Sequence, residues 1–214
     1  MSVGIISPAI MKLFISCPMK FYFKYVENVS SPQLDRSFVV GKIIHAIASY
    51  YLQNSNVESF LSSLTEKEIS YFNFLKNNEY FNLTPLAIEK SLSIKLGNYW
   101  IGGRPDAVVK NNLNDYYILD YKTGGISDDM TYDYQTMVYL LAVNKFYKNY
   151  NSLSFVYIDL KNCKSNIITF DNNLKSEYEV LLLKICDEIS NFNKLKFKKK
   201  CNSSCEYSKL CICY

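Results

Sequence analysis

Two periodicities in one chain predict an α/β fold of alternating helices and strands. Apolar residues fall at helical spacing through the first third of the chain and again from Tyr178 to Phe192. Between these stretches, Leu92, Ile94 and Leu96 alternate with Ser91, Ser93 and Lys95, the mark of a half-buried strand. A chain of 214 residues, 49% hydrophobic and 21% charged, is long enough for one core, and no repeat, Pro/Gly/Ser linker or low-complexity tract divides it. One domain covering 1–214 is expected.

Ser7 as N-cap and Pro8 at the first helical position open a helix that runs to Cys17-Pro18 and resumes through Phe21 to Tyr25. A second helix follows Gly41 to Leu52. Phe60, Leu61, Leu64, Ile69, Phe72 and Leu75 predict a third from Val57 to Leu75. The strand at Leu92 to Leu96 then begins a three-stranded meander with Gly103 to Val109 and Tyr116 to Lys122, the last two joined by an Asn-rich turn at 111–115. A helix from Tyr132 to Phe146, strands at Leu153 to Leu160 and Asn166 to Phe170, and an amphipathic helix from Leu174 to Leu195 complete the order.

The net charge of +4 is too mild to announce a nucleic-acid partner, although Lys194, Lys196, Lys198, Lys199 and Lys200 concentrate positive charge near the C-terminus. No run approaches the roughly 18 apolar residues of a membrane span, and the first residues lack the charged and apolar blocks of an export signal. A soluble, cytoplasmic protein with no membrane partner is expected. Seven cysteines are an odd number for a disulfide framework, and Cys201, Cys205, Cys211 and Cys213 crowd into the last residues, which points to metal. Cys163 and Cys186 read as small buried hydrophobes.

Chemistry concentrates in Gly102-Gly103-Arg104-Pro105-Asp106 and Ile118-Leu119-Asp120-Tyr121-Lys122. Paired positions of an antiparallel hairpin have a constant sum, and a turn centred on Leu113 sets Asp106 opposite Asp120. Alternation along the strand puts Lys122 on the face of Asp120 and turns Tyr121 to the other side. Two carboxylates and an ammonium on one face make sense where a divalent cation bridges the acids. An Asp-x-Lys on its own is an ordinary surface pair. Here the flanking Ala107, Val108, Val109, Ile118 and Leu119 are those of buried strands, and buried charge requires a partner.

These two segments resemble the core of RecB-family nucleases in the PD-(D/E)XK superfamily. Ser7-Pro8, Cys17-Pro18, Phe21 and Tyr25 resemble the N-terminal signature of that family, Gly41-x-x-x-His45 its histidine motif, and Gln135-x-x-x-Tyr139 the helical motif after the catalytic strands. The resemblance implies a restriction-endonuclease-like core, a central mixed sheet flanked by helices, in which His45, Asp106, Asp120 and the Tyr121 carbonyl hold Mn²⁺ or Mg²⁺. The imidazole would tilt preference towards Mn²⁺. Asp106, Asp120, Lys122, Gln135 and Tyr139 are the implied catalytic set. Glu89 resembles a further acidic position of the family. Without the resemblance, His45 beside the apolar Ile44, Ile47, Ala48 and Tyr51 would read as a core or cap residue, and Gln135 with Tyr139, neighbours on one helical face, equally as an interfacial pair or as a hold on a nucleic-acid backbone or on Lys122.

Several RecB-like nucleases, the bacterial AddB subunit and CRISPR-associated exonucleases among them, join one N-terminal cysteine to three C-terminal ones around a [4Fe-4S] cluster. That similarity implies Cys17, Cys201, Cys205 and Cys211 as ligands, joining the two ends of the chain. Three residues separate Cys201 from Cys205 where the family usually has two, and Cys213 is a rival ligand. Zinc accepts the same four thiolates. The expected function is that of a metal-dependent DNA exonuclease on single strands or ends, in CRISPR spacer acquisition or in DNA repair and recombination, with an integrase or recombination proteins as partners. The alternative from another class is a non-catalytic module that binds nucleic acid or a partner protein through its basic tail and metal cluster.

Overall fold

A capping serine followed by a proline decides how the chain begins. In the computed structural model, which describes residues 4–30, 37–193 and 205–211, the short strand β1 (Ile5–Ile6) leads into α1 (Pro8–Ser16). The Ser7 hydroxyl accepts the Ile10 N–H at 3.3 Å, and Pro8 sits where a helix needs no N–H. Cys17, before Pro18, is extended, and α2 (Pro18–Phe21) restarts the helix and passes into a π-helical turn over Tyr22–Val26.

The next helix, α3 (Ser37–Leu52), carries Ile44, Ile47 and Ala48 into the core. The single helix expected from Val57 to Leu75 is two, α4 (Glu58–Leu61) and α5 (Glu66–Lys76). Thr65 breaks it: its backbone is extended, its hydroxyl accepts the Glu68 N–H, and the Glu68 carboxylate accepts the Thr65 N–H at 2.8 Å, a reciprocal capping box.

The strands depart most from expectation. Strand β2 (Thr84–Ile88), which the sequence pattern does not predict, is an edge strand with a bulge beside Pro85, the one kind of place where a sheet tolerates proline. Strand β3 (Leu92–Leu96) forms a hairpin with β4 (Tyr99–Gly103) in place of the expected meander. The predicted strand from Gly103 to Val109 is interrupted at Arg104-Pro105-Asp106, and β5 (Ala107–Lys110) resumes in a different sheet. Pro105 has no N–H to donate to a ladder, which suits it to the crossing point. The remaining elements are β6 (Tyr116–Lys122), α6 (Tyr134–Phe146), β7 (Leu153–Asp159), β8 (Lys164–Thr169) and α7 (Asn172–Ser190).

The result is a three-stranded sheet in the order β1-β4-β3 and a mixed five-stranded sheet in the order β2-β5-β6-β7-β8. Within the larger sheet β6 and β7 run parallel, bridged by α6, and the other pairs are antiparallel. One face of the larger sheet, with Val108, Ile118, Phe155 and Tyr157, packs against α6, α1 and α7, and Leu92, Ile94 and Ile101 of the smaller sheet join the same core. The other face, with Ala107, Val109, Leu119, Tyr121 and Val156, packs against α3, α5 and Phe81. Helices on both faces make β6 and β7 the most enclosed strands, and Asp120 lies in β6.

Residues 205–211 dock on α2 and the π-helical turn. Lys20 Nζ lies 2.8 Å from Glu206 Oε2, the rings of Phe23 and Tyr207 stack with centroids 5.5 Å apart, and the Tyr207 hydroxyl donates to the Val29 carbonyl at 3.1 Å. The lysine run 194–200 and Leu195 lie outside the described residues, as do Cys201 and Cys213. Cys186 is buried as expected. Cys163 is not: it is exposed, at a turn with φ +50°. Among the described residues no helix is long and apolar enough to cross a membrane.

Candidate active site

The Asn-rich turn sets the register of the β5–β6 hairpin. The Asn111 side chain accepts the N–H groups of Leu113 and Asp115, and Asn114 takes a left-handed conformation with φ +62°. Ala107 then pairs with Leu119 and Val108 with Ile118, the register that a turn centred on Leu113 predicts. Asp106 lies just beyond the paired region, off the strand. It faces α3, with Oδ1 2.7 Å from His45 Nδ1 and Oδ2 accepting the Tyr121 N–H at 2.7 Å.

Asp120 and Lys122 share a face, with Lys122 Nζ 2.6 Å from Asp120 Oδ2. Only 3% of Asp120 is exposed. Tyr121 turns the other way, and its ring packs near His45 and Phe81. Across the cleft, Gln135 at the start of α6 ties the pair together: its Oε1 accepts from Lys122 Nζ at 2.9 Å and its Nε2 donates to Asp120 Oδ1 at 3.1 Å. Tyr139, one turn on, donates to the Arg104 carbonyl at 3.3 Å and fills the space beside Gly103, where a Cβ would meet its ring at 2.6 Å. That contact holds Arg104 to Asp106 against α6.

Burial dominates the electrostatics. It raises the Asp120 carboxyl, and with Asp106 nearby outweighs the attraction of Lys122 and His45, leaving it at about 6. Burial opposes the Lys122 ammonium, but the charge and hydrogen bond of Asp120 more than offset it and raise its pKa. His45 is raised too: burial disfavours the imidazolium, but Asp106 and Asp120 prevail.

The donor set suits a hard or borderline divalent cation: two carboxylates and one imidazole, with Asp120 Oδ2 buried and making no hydrogen bond beyond its ion pair. Of the residues expected as metal ligands, His45 and Asp106 are bonded to each other and Asp120 to Lys122, and among the described residues no three His, Cys, Asp or Glu side chains converge as a ready metal site. Near α2, the charges of Cys17 and Cys205 help burial to raise the Cys211 thiol, so these three lie in one region.

Two residues not named from the sequence, Asp133 and Lys12, border the candidate site, as does Glu89. Asp133 caps α6 by accepting the Gln135 N–H at 2.8 Å, and Lys12 from α1 lies 2.7 Å from Asp133 Oδ2 while donating to Gln135 Oε1 at 3.4 Å. An aspartate two residues before Gln135 was a readable cap signal. Lys12 had none, lying 123 residues from Gln135. Glu89, just after β2, donates its N–H to the Asp106 carbonyl at 2.9 Å and reaches Arg104 at 3.6 Å, which places it at the rim.

The profile of the PD-(D/E)XK nuclease superfamily matches residues 5–212. A solved structure from Eubacterium rectale described as "Putative exonuclease" superposes with a TM-score of 0.58 at 11% identity, covering 97% of this chain and 88% of that one, a likeness of fold. A second, SSO0001, gives a TM-score of 0.49 at 17% identity over 99% of this chain and 87% of the other. No curated protein matches. The superfamily profile spans nearly the whole chain, and the Asp120–Lys122 pair held by Gln135 lies within it, so the chain belongs to the PD-(D/E)XK nuclease superfamily.

Proposed function

We propose that the protein is a metal-dependent deoxyribonuclease, an exonuclease acting on single strands or DNA ends. The carrying observation is the buried Asp120–Lys122 pair with Gln135 bonded to both members. A pair buried only for stability would be a poor bargain, since desolvation can cancel its attraction. Chemistry at this point explains why the charges are kept.

His45, Asp106, Asp120 and the Tyr121 carbonyl would hold Mn²⁺ or Mg²⁺, which when bound polarises a phosphate and yields hydroxide at neutral pH. Lys122 steadies the attacking oxygen or the charge growing on the phosphate, and Gln135 fixes where Lys122 points. Tyr139 holds the Arg104-to-Asp106 segment in place. We also read Cys17, Cys201, Cys205 and Cys211 as ligands of a [4Fe-4S] cluster, with zinc the alternative and Cys213 a rival ligand. The docking of 205–211 on the N-terminal helices supports this reading. Likeness in sequence to CRISPR-associated exonucleases and AddB supports a role in spacer acquisition or recombinational repair, beside an integrase or recombination proteins.

The test is cleavage of single- and double-stranded DNA, labelled at either end, by anaerobically purified protein with Mn²⁺ or Mg²⁺. Cation-dependent cleavage should fall at least about 100-fold in Lys122→Ala and Asp120→Ala. Fully active variants, or DNA binding without cleavage by the unaltered protein, would overturn the assignment. Iron, zinc and acid-labile sulfide content decides between the two clusters.

A further inference from the structure

The outer face of the three-stranded sheet, whose strand β4 leads towards the candidate site, has the makings of a nucleic-acid platform. Ile101 of β4 points into the core, so alternation turns Trp100 outward, while Gly102 is covered by β3. Trp100, the only tryptophan in the chain, is 52% exposed, and the register sets Ile5 on one side of it and Lys95 on the other, both exposed. Next to this row lies a groove of about 330 Å³ lined in part by Ser7, Ser91, Ser93, Gly102 and Arg104. An exposed indole, with Lys95 and Ser93 in the strands and Ser7, Ser91 and Arg104 at their ends, is poor material for a core and good material for a strand of bases and phosphates.

Both walls of the groove lead to the catalytic residues. Along β4 the chain passes from Trp100 through Gly102 and Arg104 to Asp106. Along α1 it passes from Ser7 to Lys12, a rise of about 7–8 Å, and Lys12 ends at Gln135 beside Lys122. The Arg104 guanidinium is exposed and spans 3.6 Å to Glu89, a loose pair from which a phosphate could take it.

We propose that this face binds a single DNA strand on its way to the cleft, one base stacked on Trp100 and the backbone held by Lys95, Arg104 and the serine hydroxyls. The proposal rests on the nuclease reading and names the form of its substrate. A flat aromatic platform favours a single strand because unpaired bases offer their π-faces, whereas duplex bases are already stacked on each other.

The experiment uses the lone tryptophan as its own reporter. Single-stranded oligothymidylate is titrated into the intact protein with divalent cations chelated, following Trp100 emission and, in parallel, the polarisation of labelled DNA. Saturable quenching is expected with the single strand and little with a duplex of equal length. Lys95→Ala and Arg104→Ala should each weaken binding several-fold and flatten its salt dependence. Trp100→Ala should weaken it about tenfold or more, and in the cleavage assay the loss should fall on KM rather than kcat. Polarisation that reports binding while Trp100 emission stays constant would overturn the platform, as would absence of binding. Quenching in a protein that cleaves no DNA would uphold the platform and sink the nuclease reading.

Discussion

Gln135 contacts both members of the buried ion pair, and its replacement should separate chemistry from folding. Gln135→Ala frees Lys122 to wander, and kcat should drop roughly 10- to 100-fold, as when outer partners of catalytic groups are removed. Circular dichroism should be unchanged; a variant as active as the parent would remove Gln135 from the mechanism. Asp159 offers a contrasting test. It is wholly buried, and its carboxylate accepts from the N–H groups of Ile126 and Asn162 and from the Asn162 side chain. Burial alone would raise its pKa, but these donors together lower it. The stability it contributes is therefore present above about pH 4, the ordinary carboxylate value, and lost as the pH falls through the lowered one. Asp159→Ala should cost about 2–3 kcal/mol in urea unfolding at neutral pH and reduce the sensitivity to acid. The sequence made Asp120 and Lys122 legible because a short hairpin fixes their geometry locally. Lys12 was illegible because only the packing of α1 on α6 brings it near.

At the scale of elements, the contact of β4 with α6 decides where Asp106 sits. A Cβ at Gly103 would meet the Tyr139 ring, and at Gly102 it would meet the Leu92 carbonyl at 2.3 Å. Gly103→Ala should destabilise by about 1–3 kcal/mol, and because the strand must move away from α6 it should also slow cleavage. An unchanged melting temperature would show that Tyr139 swings aside at no cost. Capping gives a gentler test: Thr65→Ala should cost about 1 kcal/mol by fraying α5, with cleavage unaffected. The start of α1 was legible because Ser7-Pro8 announced it, whereas the start of α5 was missed because apolar spacing running through Thr65 hid its capping box. Strand β2 was not legible, since Pro85 and a bulge erase its alternation. Nor was the sheet change at Pro105, because both sides of it carry strand-like residues.

At the scale of the whole molecule, the C-terminal segment grips the N-terminal helices through Lys20–Glu206 and Phe23–Tyr207. Tyr207→Ala removes a buried ring and its hydrogen bond to Val29, and the segment should detach before the sheets melt. Limited proteolysis should cut near the C-terminus several-fold faster in that variant while the remainder resists as before; equal rates would mean the grip contributes little. The resemblance implied ends joined at a cysteine cluster, whereas the contacts seen are an ion pair, a ring stack and a hydrogen bond, which no local pattern reports.

The parallel pairing of β1 with β4 also sets a timetable for synthesis. Ile5 leaves the ribosome well before its partner Trp100, which is made 95 residues later. At about 5–20 residues per second, the leading strand waits roughly 5–20 s for its place, and Lys12 waits longer for Gln135. The candidate centre therefore cannot assemble before α6 is made, and a nascent chain that stops short of α6 carries Asp106 and Asp120 without the helix that aligns Lys122.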